Sequence, residues 1–221
     1  GGADNRARRC RLAVRKAMKQ QTIVTLDLEG VLVPEIWIAF AKKTGIEQLK
    51  LTTRDIPDYD ELMAGRLVIL DENGLKLADI QEVIGTLAPL DGARAFLDEL
   101  RSITQVVILS DTFEEFAAPL MRQLAWPALL CHRLEIDGEG RVANYRLRQR
   151  DQKRRAVAAF RGLNYNVIAV GDSYNDTTML GEADTGFLFR PPDSVRAEFP
   201  QFESATEYGG LMALIRGGME E

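Results

Sequence analysis

Three apolar, strand-forming runs in this chain each break off on a carboxylate or a hydroxyl, and few folds accommodate that pattern. The first is Ile23, Val24 and Leu26, ending on Asp27, with Glu29, Gly30 and Pro34 following in TIVTLDLEGVLVPE. The second is ILSDTF, from Ile108 to Phe113, and the third is VIAVGDSYND, from Val167 to Asp176. Apolar runs of this length between turn residues fit strands buried on both faces, as in a parallel sheet covered by helices. Open α/β sheets bind ligands at the carboxyl ends of such strands. Gly30 would let the backbone leave the first strand sharply and turn Asp27 and Glu29 toward that crevice. Alone, the two acids could simply end a strand. Three such ends together point to a site.

Between the runs the periodicity changes from strand to helix. Pro34 opens a helix with Ile36, Trp37, Phe40 and Ala41 on one face. Asp58 and Glu61 read as an N-cap and capping-box pair before Leu62, Met63, Leu67 and Leu70. Leu77, Ile80, Val83, Ile84 and Leu87 give a third helix ahead of Pro89. Residues 34–90 therefore hold helices and no convincing strand, which is too much for one crossover and suits an inserted helical subdomain. From Asp91 the alternation resumes: helix Ala93 to Arg101, strand Ile103 to Leu109, helix Phe113 to Leu124 despite Pro119, strand Ala128 to Cys131. A hairpin of Leu134–Ile136 with Val142–Leu147 around DGEG follows. Helix Gln152 to Phe160, strand Asn166 to Val170, helix Thr177 to Ala183, strand Phe187 to Phe189 and helix Tyr208 to Ile215 complete the chain. The expected class is α/β, a doubly wound parallel sheet of residues 18–33 and 91–221 interrupted by the helical insert.

With 221 residues, 46% of them hydrophobic, the chain can bury one good core and a smaller satellite. A net charge of −5 argues against a nucleic-acid partner. No apolar run approaches the roughly 18 residues of a membrane span. Cys10 and Cys131 are too few for a disulfide framework, so a reducing, cytoplasmic setting is expected. Residues 1–17 are Arg-rich with a single Asp, but lack the apolar segment of a signal peptide and the Ser of a transit peptide. They read as a basic leader ahead of a start at Met18, disordered or non-native, with no packed role. An RNA-binding arm there would lack aromatics. His132, the sole histidine, has nothing to pair with as a zinc ligand or nucleophile and is expected to be structural.

Strand ends offering Asp, then Ser, then a pair of Asp in that order resemble the haloacid dehalogenase (HAD) superfamily. The resemblance implies that Asp27 is a nucleophile forming an aspartyl phosphate, which splits one hard displacement into two. It implies a Mg²⁺ ion held by Asp27, the main-chain carbonyl of Glu29 and Asp172, with Asp176 supporting them. Glu29 then stands at the general acid/base position, where the family has Asp; one extra methylene shifts the reach by about a bond length. The Ser110 hydroxyl and the N–H groups of Asp111 and Thr112 would cradle the phosphate. Lys153 is the matching phosphate cation by chain order, while its neighbours Arg148, Arg150, Arg154 and Arg155 read as a solvated face.

Within that superfamily the insert between Asp27 and Ser110 is placed like the cap of phosphoserine phosphatases. Glu35 and Arg66 match the pair that holds the substrate's amino and carboxylate groups, Glu35 one residue early; without the resemblance, Arg66 could be a surface residue paired with an acid. Asn175 matches a substrate-contacting residue of its loop. DLEGVLVPEIWIAF, TTRDIPDYD, ILSDTF, LMRQL, LCHRLEID, GDSYNDTTML and EFPQF extend the resemblance over residues 20–205, to the bifunctional type that also passes the phosphoryl group to homoserine. The expectation is a Mg²⁺-dependent phosphoserine phosphatase and homoserine phosphotransferase, with a homodimer left open. The rivals are a HAD phosphatase for another small phosphomonoester and a receiver-like phospho-aspartate signalling module, against which the insert and Glu29 speak.

Overall fold

The computed structural model describes residues 20–220 except 53, 54 and 57, so the leader and Met18 lie outside the described residues. Among the described residues seven strands form one sheet in the order β4-β3-β2-β1-β5-β6-β7. They are β1 (Thr22–Leu26), β2 (Gln105–Phe113), β3 (Ala128–Ile136), β4 (Val142–Arg146), β5 (Asn166–Gly171), β6 (Thr185–Phe189) and β7 (Glu203–Ala205). Every pairing is parallel except the β3–β4 hairpin. β1 is central, and the chain builds first toward β2 and then toward β5. The crevice of such a sheet opens where the direction of winding switches. The three runs that end on Asp27, Ser110 and Asp172 are therefore adjacent strands with their ends on one edge.

Successive residues of β5 alternate between two apolar interiors. Val167 and Ala169 face one, Ile168 and Val170 the other, and all four are buried. This is the signature of a strand covered on both faces. On one face lie α6 (Gln152–Gly162), α7 (Thr177–Glu182) and α8 (Asp193–Glu198); on the other lie α4 (Ala93–Ile103), α5 (Glu114–Gln123) and α9 (Tyr208–Glu220).

Between β1 and α4 the chain forms α1 (Ile36–Thr44), a short 3₁₀ turn, α2 (Tyr59–Glu72) and α3 (Leu77–Gly85), with no named strand among the described residues. Asp58 caps α2 by accepting from the Glu61 N–H at 3.0 Å. The helices share the larger interior: Phe40, Met63, Leu70, Ile80 and Ile84 are continuous with Phe113, Phe116 and Leu120. The hairpin reaches them too, through Leu77 N–H to the Gly140 carbonyl at 2.9 Å and a hydrogen bond from the Tyr145 hydroxyl to Asp60.

Several boundaries differ from the sequence reading. α1 starts at Ile36, two residues past Pro34. β2 continues through Ser110, Asp111 and Thr112 to Phe113, because a register shift against β3 absorbs the polar residues inside the strand. β3 runs unbroken through His132 and Arg133, joining the strands expected at Ala128 to Cys131 and Leu134–Ile136 into one. α8 and β7 were not anticipated; six and three residues carry too little periodicity to register. Pro119 does sit inside α5. It removes the N–H that would bond the Glu115 carbonyl, and Gln81 of α3 donates to that carbonyl instead at 2.8 Å.

Phe116 joins the insert to the sheet, edge-on to Trp37 at 5.0 Å and to Phe113 at 5.9 Å. Fully buried, it should cost about 3–5 kcal/mol on truncation. Urea unfolding of Phe116→Ala is the check; a loss below about 1 kcal/mol would mean that the insert does not depend on this contact.

Candidate active site

The turn after β1 places the first acids. Asp27 is 5% exposed, and its Oδ1 accepts from the Leu28 N–H at 2.7 Å and from Lys153 Nζ at 2.9 Å. Its Oδ2 has no hydrogen-bond partner among the described residues. Gly30 follows with φ +78°, and a Cβ there would lie 2.2 Å from Asp172 Oδ2. Any side chain would collide with that carboxylate, so glycine is required by space as well as by conformation.

The end of β5 supplies the facing acids. Asp176 is fully buried and its carboxylate is saturated: Oδ1 accepts from Lys153 Nζ at 2.8 Å, and Oδ2 from the Asp172 N–H, the Ser173 N–H and the Ser173 hydroxyl at 3.0–3.3 Å. Gly171 makes room for it, since a Cβ there would lie 2.2 Å from the Asp176 Cβ. Asp176 thus holds the turn on which Asp172 projects. One oxygen from each of Asp27, Asp172 and Asp176 lies within 4.8 Å of the others.

The charges explain why this cluster fits a hard cation. Burial, and then Asp176, push Asp27 well above its ordinary range against the pull of Lys153. Burial, Asp176 and Glu35 push Asp172 up to about 8. A divalent ion would relieve both, and the Asp27 and Asp172 carboxylates offer oxygen ligands of the kind Mg²⁺ takes, with Asp176 holding the turn behind them. Burial alone would lower Lys153, but Asp176, Asp27 and Asp111 outweigh it and hold the ammonium charged. Of its basic neighbours, Arg154 pairs with Asp151 and Arg148 bonds Gln152, so Lys153 is the cation that enters the cluster.

Glu29 stands apart from the three acids. Its Oε1 accepts from the Ile36 N–H at 2.7 Å, at the start of α1, and burial followed by the nearby Glu35 pushes it up to about 7. Glu35 is exposed at the N-cap of α1. Arg66 is 8% exposed, not the surface residue the bland reading would have. Its guanidinium lies 4.4 Å above Trp37, donates to the Leu51 carbonyl at 2.8 Å, and leaves Nε buried without a partner. A buried donor left unpaired is rare and asks for an acceptor.

Ser110 is fully buried, its Oγ accepting from the Thr112 N–H at 3.2 Å, which leaves its own proton to donate. Asp111 is 3.7 Å from Lys153. Burial would raise it, but Lys153, His132 and Gln152 hold it well below the usual carboxylate range. Asp111 and the exposed Asn175 line a cleft of about 550 Å³ with Asp58, Tyr59, His132 and Arg150. The sequence reading gave Tyr59 and Gln152 no part in the site, expected His132 to be structural and set Arg148 on a solvated face. Gln152, next to Lys153, had no motif to mark it, and the single histidine offered no partner by sequence.

Residues 21–184 match the haloacid dehalogenase-like hydrolase family. The chain is 67% identical over 189 residues to Phosphoserine phosphatase ThrH of Pseudomonas aeruginosa, covering 86% of this chain and 92% of that one. It is equally identical over the same length to a phosphoserine phosphatase of Pseudomonas syringae pv. tomato, covering 80% of that protein. Its fold is similar to the crystal structure of phosphoserine phosphatase from T. onnurineus, with a TM-score of 0.68 at 23% identity over 90% of this chain and 98% of that one. No helix among the described residues is long and apolar enough to cross a membrane. With its doubly wound sheet, its acids at adjacent strand ends and a family match over most of its length, the chain belongs to the haloacid dehalogenase-like hydrolases.

Proposed function

We propose that this chain hydrolyses phosphoserine through a phosphoryl group carried on Asp27, and passes the group to homoserine as an alternative acceptor. The observation that carries the reading is Asp27 held against the buried ammonium of Lys153, with Asp172 beside it, in a chain 67% identical to a phosphoserine phosphatase. The helical insert over residues 34–90 serves as the cap. The signalling-module alternative has no counterpart among these relatives.

In the first step Asp27 attacks phosphorus and the bond to the serine oxygen breaks. Glu29, poised near neutrality, gives its proton to the leaving alkoxide. Lys153 and the Ser110 hydroxyl hold the phosphoryl oxygens as charge redistributes. In the second step Glu29 takes the proton of water or of an acceptor hydroxyl, that oxygen attacks phosphorus, and Asp27 is released. Asp27, the Glu29 main-chain carbonyl and Asp172 would hold Mg²⁺, which offsets the negative charge of nucleophile and phosphate when bound. Arg66 turns its unpartnered Nε to the substrate carboxylate, Glu35 meets the ammonium, and Asn175 contacts the substrate from the cleft wall. Two widely separated cysteines in 221 residues favour a reducing, cytoplasmic setting for the enzyme.

Asp27→Asn should abolish turnover while the protein stays folded; retention within about tenfold (roughly 1.4 kcal/mol) would remove the covalent step. Arg66→Ala should lower kcat/KM for phosphoserine at least tenfold, about 1.4 kcal/mol, and leave para-nitrophenyl phosphate little changed. Equal loss on both would assign Arg66 to the fold or the chemistry. Mg²⁺ at about 100 times its Kd should stabilise the native state by ~2.7 kcal/mol, seen as a rise in Tm. The rise should vanish in Asp172→Asn; an undiminished rise would place the ion elsewhere.

A further inference from the structure

The geometry assigns His132 and Gln152 as positioning residues, which act through Asp111 to fix the strand bulge that receives the phosphoryl group. The inference rests on the phosphomonoesterase reading above, though not on which phosphomonoester is used.

The bulge is visible in the pairing of β2 with β3. Leu109 faces Leu130 and Phe113 faces His132, so four steps along β2 correspond to two along β3. Ser110, Asp111 and Thr112 lie between those two pairs, outside the regular register of the ladder. Something else must hold them, because a cradle of N–H groups works only when its donors are fixed before the anion arrives.

Two buried side chains do so. Gln152, 2% exposed, donates through Nε2 to the Ser110 carbonyl at 2.7 Å and to Asp111 Oδ1 at 3.1 Å. Its Oε1 accepts from Arg148 Nη2 at 2.6 Å, which settles the orientation of the amide. His132, 4% exposed, accepts the Arg148 main-chain N–H on Nδ1 at 3.1 Å. A ring nitrogen that accepts in this way carries no proton, so the proton of the neutral ring is on Nε2. Nε2 lies 3.6 Å from Asp111 Oδ1, longer than a full hydrogen bond but near enough to orient the carboxylate. Lys153 draws the other oxygen of Asp111 from 3.7 Å. Asp111 is thus pulled from three sides, and its main-chain N–H is fixed with it. Arg148 sets both the tautomer of His132 and the amide of Gln152 from one residue.

A cradle for the phosphoryl group serves every phosphomonoester alike, whereas Arg66 serves only a substrate with a carboxylate. The two roles therefore separate experimentally. His132→Asn keeps an acceptor near the place of Nδ1 and loses the donor toward Asp111; His132→Gln keeps a donor near the place of Nε2. Expected for His132→Asn is a loss of about tenfold in kcat/KM on phosphoserine and on para-nitrophenyl phosphate, with inorganic phosphate binding, measured by calorimetry with Mg²⁺ present, weakened by a similar factor. His132→Gln should recover most of that loss, with Tm near the parent in both. Equal losses in the two variants, unchanged phosphate binding, or a loss confined to phosphoserine would each overturn the role. If His132→Asn does not fold, Gln152→Met removes the other hold on the bulge and must reproduce the pattern of equal losses. A parent protein that turns over para-nitrophenyl phosphate but not phosphoserine would overturn the substrate reading alone.

Discussion

One buried ammonium holds the site together. Lys153 reaches from the start of α6 into a cluster of carboxylates, 2.9 Å from Asp27 and 2.8 Å from Asp176. Isolated charges of either sign would not remain ionised at such depth, since desolvation disfavours them strongly. The surrounding acids keep Lys153 charged, while burial and the neighbouring carboxylates still push Asp27 above its ordinary range against the pull of the ammonium. Removing the lysine would leave uncompensated buried charge, typically worth 3–5 kcal/mol in a case of this kind. The arrangement also leaves a surplus of negative charge, which suits a divalent cation; in the proposed mechanism the ion would offset the acids and leave the ammonium for the phosphoryl oxygens.

The sheet makes this cluster attainable. β2, β1 and β5 are adjacent and parallel, so residues distant in the chain arrive at one edge without any long excursion. The approach is close enough that two glycines are needed, Gly30 against the Asp172 carboxylate and Gly171 against the Asp176 side chain. The helical insert brings Arg66 on α2 into the neighbourhood of Glu29, and the β3–β4 hairpin meets the insert through the hydrogen bond from Leu77 N–H to the Gly140 carbonyl.

Much of this was legible in the sequence because strand ends announce themselves. Asp27, Ser110 and Asp172 each follow an apolar run, and the order of the runs gave the doubly wound sheet. The residues that the sequence concealed act through tertiary geometry instead. Gln152 and His132 matter because a bulge in β2 faces them, and a bulge is set by pairing with β3, which periodicity along one strand cannot report. Arg66 could be matched by resemblance, but its burial over Trp37 depends on how α1 and α2 pack. Pro119 argued locally against a helix, and the donor that made it tolerable, Gln81, comes from the insert. β7, read from Glu203 to Ala205, is too short and polar to stand out from a loop.

The most direct test of the account is to trap the covalent intermediate. The protein would be mixed with isotopically labelled phosphoserine and Mg²⁺, quenched in acid during turnover, and its peptides analysed by mass spectrometry. The account predicts a hydroxylamine-labile phosphoryl group on the peptide containing Asp27, with less of it at steady state when homoserine is added. Turnover without label on that peptide, or label on another residue, would contradict it.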